Sequence, residues 1–193
     1  MNDQDNNTVG SQAKQPKPRK VRKARGSGKS RRSPLAALVR QEPQEWVCEP
    51  GDVNELPTMP VQQLWFELRS WAWKSLAIVP TVAGGSEFDL AEQVVMVGVS
   101  NTSRRMILIS AEGAGVGDTD KVIGMIRAAE ARGDRVVVVT DSVLDNPSST
   151  PIIRAVNGVI PVVTLGVSER SAVERTIQAV GRSRVIGAVS RQP

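Results

Sequence analysis

Residues 135–140 read RVVVVT, an unbroken run of four valines closed by threonine. β-Branched side chains suit an extended backbone. A run without polar alternation is what a strand buried on both faces requires. Helical patterns flank it. Upstream, DTDKVIGMIRAAEARG (118–133) sets Val122, Met125, Ile126 and Ala129 on one face, with Asp118 or Thr119 as cap and Gly133 as terminator. Downstream, STPIIRAVN (149–157) reads as a short helix with proline near its first turn. Further out, SLAIVP (75–80), RMILIS (105–110), GVIPVVTLG (158–166) and SRVIGAVS (183–190) are apolar runs of strand length. Between or beside them, VQQLWFELRSW (61–71), SEFDLAEQVVMVG (86–98) and SERSAVERTIQAVGR (168–182) have helical periodicity, the last two opening on Ser86 and Ser168 as caps. Strands alternating with helices predict an α/β fold: one doubly wound, mostly parallel sheet of about five strands with helices on both faces, spanning residues 58–193.

The rest of the chain has a different character. Residues 1–33 hold ten of the 25 Lys/Arg against Asp3 and Asp5, a net of +8, while residues 34–193 carry 15 basic and 18 acidic residues, a net of −3. The overall charge of +5 therefore belongs to a basic tail, expected to be disordered. Residues 34–57 read as a connector, with a short helix at 34–41, after which Pro43, Pro50 and Pro57 interrupt regular structure.

Composition excludes several chemistries. One cysteine, Cys48, allows no internal disulfide and no multi-cysteine zinc site. The absence of histidine removes the commonest metal ligand and general base, so there is no Ser-His-Asp triad and no Cys-His pair. No apolar run approaches the roughly 18 residues of a membrane span. The N-terminus lacks the apolar stretch of a secretory signal, and the expected location is the cytoplasm.

RGSGKS (25–30) ends like a phosphate-binding loop, but the motif G-x-x-x-x-G-K-[ST] needs its first glycine at position 23, which is Lys23. No buried strand precedes it, so this is a fragment of the tail. In an open parallel sheet, ligands bind beyond the carboxyl ends of the strands, which directs attention to three later loops. PTVAGGSEFD (80–89) carries Gly84, Gly85 and Ser86 at a helix start, where backbone N–H groups can cradle an anion. It has no lysine, and Glu87 and Asp89 put negative charge where phosphate would sit. SAEGAGVGD (110–118) is glycine-rich without the dinucleotide spacing. DSVLDNPSSTP (141–151) opens on Asp141 directly after the valine strand, the place of a magnesium-side aspartate or of a turn residue.

These segments carry a resemblance. WKSLAIVP (73–80), GGSEFDLAEQV (84–94), MILISAE (106–112) and the stretch from RVVVVTDSVLDNP through GVIPVVTLGVS to RSRVIGAV (135–189) resemble the cytoplasmic ATPase domain of bacterial tyrosine kinases of capsule and exopolysaccharide synthesis, and the related partitioning-type P-loop ATPases. The resemblance covers about residues 65–190. It implies a degenerate member: the loop lysine has no counterpart, Ser110-Ala111-Glu112 stands where the family carries aspartates, and the phosphoacceptor tyrosine cluster is missing because the chain has no tyrosine. Gly84, Gly85, Ser86 and Asp141 are what remains of a nucleotide site, with no cofactor expected beyond residual Mg-nucleotide.

Three functions follow from the sequence. The first is a non-catalytic, pseudo-ATPase accessory protein of exopolysaccharide or capsule biosynthesis. The resemblance implies for it a place at the cytoplasmic face of the inner membrane, with a membrane chain-length regulator as partner and a homo-oligomer in view; the basic tail would face anionic lipid. The others are a divergent active nucleotide hydrolase or kinase-like regulator, and a nucleic-acid-associated protein binding through its tail. Trp65, Trp71 and Trp73, with Phe66, read either as core packing at helical spacing or as a partner-docking surface.

Overall fold

The computed structural model describes residues 43–53, 57–102 and 104–193. The basic tail, RGSGKS and the helix expected at 34–41 lie outside the described residues. The described chain runs β1 (Gln44–Cys48), α1 (Met59–Arg69), β2 (Ser75–Pro80), α2 (Phe88–Asn101), β3 (Met106–Ala111), α3 (Thr119–Ala131), β4 (Arg135–Thr140), α4 (Ser149–Ala155), β5 (Gly158–Thr164), α5 (Arg170–Val180) and β6 (Val189–Arg191). The strands form one sheet in the order β1-β3-β4-β2-β5-β6. All neighbours are parallel except β1, which is antiparallel to β3. The expected α/β architecture is therefore the observed one.

The valine run sits at the centre. Val137 and Val139 pack on one face with α1 and α2, and Val136 and Val138 on the other with α3, α4 and α5. Period-two alternation thus sends successive valines into two separate cores, and all four are fully buried.

Two strands differ from the sequence reading. The connector's prolines bracket a strand instead of preventing one: Gln44–Cys48 pairs with Met106–Ser110. Trp46 turns inward and meets Phe88 edge-on, ring centroids 5.1 Å apart. At the other edge, the strand expected over 183–190 is mostly not one. Gly181, at φ +92°, leads into a single 3-10 turn at Arg182–Arg184, Val185 makes an isolated bridge to Val159, and pairing resumes only at Val189–Arg191. Pro161 accounts for part of the gap. The Ile186 N–H donates to Val159 O, so the N–H position two residues on, at Pro161, faces the same edge and has no proton to offer.

The caps also differ in detail. Gly133, at φ +82°, does end α3. Neither Ser86 nor Ser168 caps its helix; α2 starts after Glu87 and α5 after Glu169. Ser168 Oγ instead accepts the Thr164 N–H (2.8 Å) and lies 2.9 Å from Thr81 Oγ1.

The tryptophans divide. Trp65 is 0% exposed and Trp73 4% exposed, set edge-to-face at 6.0 Å, so neither is within reach of a partner and core packing is their role. Trp71 remains 50% exposed. Trp65 is seated because α2 has glycine at 98. A Cβ there would overlap Met106 Sδ and come within 2.8 Å of the Trp65 ring. Gly98→Ala should therefore lower unfolding free energy by about 1–3 kcal/mol through overpacking. Gly124→Ala on α3, where an added Cβ meets nothing within 4 Å, should raise it by up to about 1 kcal/mol through helix propensity. Denaturant midpoints of the two variants test the opposite signs.

At the amino ends of the strands, Asp134 joins three elements. Arg105 binds it with two parallel bonds of 3.1 Å, Arg132 Nε adds a third at 3.0 Å, and Arg132 Nη2 reaches Glu45 of β1 at 3.1 Å. Burial alone would push the Asp134 carboxyl up, but the bonds and charges of Arg105 and Arg132 outweigh it and hold the group below the ordinary range. A depressed folded pKa gives stability that is present above the unfolded value, about 3.9, and lost as pH falls through the folded one. Asp134→Asn should thus be less stable than the parent at neutral pH, with the gap closing under acid. Thermal melts across pH 2–7, a range of about five units spanning the aspartate pKa, measure it.

Candidate functional site

The sheet places its reversal of direction between β2 and β4. From β2 the chain crosses to β3 on the far side of β4; from β4 it crosses β2 to reach β5. α2 packs on one face and α4 on the other, so the loops leaving these strands separate and open a crevice at their carboxyl ends. A cavity of about 440 Å³ lies there. The loop after β2 contributes Gly84, Gly85 and Ser86; the loop after β3 contributes Glu112; the loop after β4 contributes Asp141, Ser142, Asp145 and Asn146. The four positions singled out from sequence, Gly84, Gly85, Ser86 and Asp141, meet in one cavity.

The loop after β4 fastens the other two. Asp141 Oδ2 accepts the Gly113 N–H at 2.8 Å and the Asn146 side-chain amide at 2.8 Å. The same amide donates to Ala114 O at 2.9 Å. Asp145 Oδ2 accepts the Gly84 N–H at 3.2 Å. Gly84 takes φ +64°, a conformation glycine reaches without a Cβ penalty. Within the 141–148 loop, the Asp145 and Asn146 N–H groups both donate to Ser142 O, and Ser148 N–H donates to Asn146 Oδ1.

The electrostatics are acidic. Glu112, Asp141 and Asp145 line the cavity, and no lysine or arginine does. Burial raises the Glu112 carboxyl; the nearby Ser86 hydroxyl pulls it down, the Asp141 charge raises it, and the Glu87 N–H and Ser110 lower it, leaving it above the ordinary range. Its Oε2 is buried without a hydrogen-bond partner. Glu87, expected to oppose phosphate directly, instead turns away from the lining. It is 1% exposed and pairs with Arg191 of β6 at 3.1 Å. Burial raises its pKa, Arg191 opposes this, and Glu112 and Asp89 reinforce it.

This geometry limits what the site can do. A phosphate cradle works by presenting free backbone N–H groups. Here a carboxylate of the chain already takes the Gly84 N–H, and the Glu87 N–H favours ionised Glu112. Two acidic side chains stand where an anionic ligand would go, and like charges a few ångströms apart in partly buried surroundings repel strongly. Among the described residues, no group of three or more Asp, Glu, Cys or His side chains is arranged to hold a metal. No helix among them is long and apolar enough to cross a membrane.

Glu112, Asp145 and Asn146 did not stand out from the sequence as site residues. Their signal was positional: each follows a buried strand on the ligand side of the sheet. No protein-family model and no curated protein sequence matches this chain.

Releasing the clamp should loosen its loops selectively. In Asp145→Ala, amide exchange should accelerate over residues 82–86. In Asp141→Ala, it should accelerate around Gly113 and Asn146, with β2 and β4 still protected in both. Hydrogen-exchange mass spectrometry of the two variants reads the difference.

Proposed function

We propose that the protein is a non-catalytic, pseudo-ATPase accessory protein. Its nucleotide site keeps the place of a phosphate loop and fills it with the chain's own carboxylates. One observation carries this reading: the Gly84 N–H, a backbone donor of the loop that lines the cavity, is bonded to Asp145. The missing lysine points the same way, since no cation in the cavity offsets Glu112, Asp141 and Asp145. The biological setting comes from the sequence resemblance: exopolysaccharide or capsule biosynthesis, at the cytoplasmic face of the inner membrane, beside a membrane protein that regulates chain length. In that role the domain acts by occupying a partner's binding surface, and its sheet and loops need only be rigid. The hydrogen bonds that close the site serve that rigidity.

Calorimetric titration of the full chain with Mg-ATP and Mg-ADP tests the reading. The expected result is no heat of binding up to millimolar nucleotide. Micromolar binding that disappears in Asp141→Ala would overturn it and identify a divergent hydrolase instead.

A further inference from the structure

The opposite end of the sheet carries an unused cation. Arg135, the first residue of β4, lies over the faces of Trp73 and Trp65, with Cζ 4.8 Å and 5.6 Å from the ring centroids. Its Nη1 is buried and, like the indole Nε1 of the fully buried Trp65, finds no hydrogen-bond acceptor among the described residues. Buried donors of this kind normally have partners. The charges that act on Arg135 are two more arginines, Arg104 and Arg69, both exposed; burial and then these neighbours hold its guanidinium below the ordinary value. None of the three makes an ion pair among the described residues, although Arg105 and Arg132 nearby in sequence do. Arg104 directly precedes Arg105, whose carbonyl accepts the Arg135 N–H, and Arg69 lies one helical turn past Trp65, whose ring Arg135 covers. Guanidinium groups placed this way without an anion beside them are a costly arrangement that an external anion would relieve.

Apolar side chains border the cluster. Phe66, three residues before Arg69 and so its neighbour on the surface of α1, is 53% exposed. Trp71 follows in the turn after the helix and is 50% exposed. α1 carries a single carboxylate, Glu67, against Arg69. Exposed tryptophan and phenylalanine beside arginine is the chemistry of a membrane interface. The rings enter the headgroup boundary, and the guanidinium groups bind phosphate there.

We propose that Phe66, Arg69, Trp71, Arg104 and Arg135 form a docking face for anionic phospholipid headgroups. This deepens the membrane placement proposed above and rests on it; it does not depend on the nucleotide site. Arg135 is the centre, held by two indoles, and Arg69 and Arg104 are exposed beside it. The face belongs to the folded domain and acts in addition to the basic segment 1–33.

The experiment uses the full chain with phosphatidylcholine vesicles, with and without phosphatidylglycerol, and with brominated phosphatidylglycerol as a short-range tryptophan quencher. The chain should partition onto the anionic vesicles, and bromine should quench a fraction of its fluorescence that is absent in Trp71→Phe. The exposed double variant Arg69→Gln/Arg104→Gln, folded by circular dichroism, should bind roughly tenfold more weakly. If the chain partitions but the double variant binds as the parent does, or quenching is unchanged in Trp71→Phe, the face is overturned and the membrane placement stands on the basic segment alone. If the chain does not partition onto anionic vesicles, the face is overturned, and the placement beside a membrane protein is left to protein contacts alone.

Discussion

Asp141 Oδ2 receives two hydrogen bonds, from the Gly113 N–H and from the Asn146 amide, and the joining of the loops after β3 and β4 depends on it. The aspartate directly follows Thr140, the fully buried last residue of β4, so its position is as fixed as the sheet. From that anchor the 141–148 loop reaches Ala114 through Asn146 and Gly84 through Asp145. Three loops that a parallel sheet would leave independent become one unit. In an active nucleotide site such donors face the ligand and the ligand organises the loops. Here the protein supplies the anions itself.

The sheet was legible because valine, isoleucine and leucine runs bounded by glycine and proline have few alternatives once helices alternate with them. The edges were not. β1 is a five-residue strand between prolines, and its stability comes from partners distant in sequence: Phe88 under Trp46, and Arg132 on Glu45. Nothing local in QEWVC announces either contact. At β6, the apolar stretch predicted a strand, but Pro161 and Gly181, lying before it, decided how much of it could pair. The site shows the same division. Position after a strand could be read, so Gly84, Gly85, Ser86 and Asp141 converge as the topology requires. Which donor each carboxylate takes could not be read, because a 61-residue separation between Gly84 and Asp145 leaves no trace in either segment. The tryptophans illustrate the limit again: helical spacing placed Trp65 in the core, but the space for it is made by Gly98 on another helix.

The buried carboxyls work in opposite directions. Asp134, held by two arginines, is stabilised as an anion. Glu87 and Glu112 are raised by burial above the ordinary range. Their contribution to stability is complete below the unfolded value, about 4.3, and declines as pH rises through the folded ones. Retaining two such groups at neutral pH costs stability that apolar residues would not. In Glu87 the cost is offset by Arg191, which fastens the short strand β6 to the start of α2. In Glu112 no cation answers, and its Oε2 stays without a partner.

Seen along the strand axis, the domain is polar in its charge. Glu112, Asp141 and Asp145 gather at the carboxyl ends of the strands; Arg135 opens β4 at the other end, bonded through its N–H to the carbonyl of the residue after Arg104 and lying over Trp65, one turn before Arg69. A net charge of −3 over residues 34–193 therefore conceals two surfaces of opposite sign, and the net value alone would wrongly forbid attraction to an anionic surface. Salt screens such fields beyond about 10 Å, so each end acts on what touches it and neither cancels the other. At the acidic end Asp145 and Asp141 are bonded to the Gly84 and Gly113 N–H groups of their own chain. At the basic end Arg69 and Arg104 are exposed and make no ion pair among the described residues. A charge already bonded inside the chain gains less from an outside partner than one that is not, and that difference, more than net charge, separates the two ends.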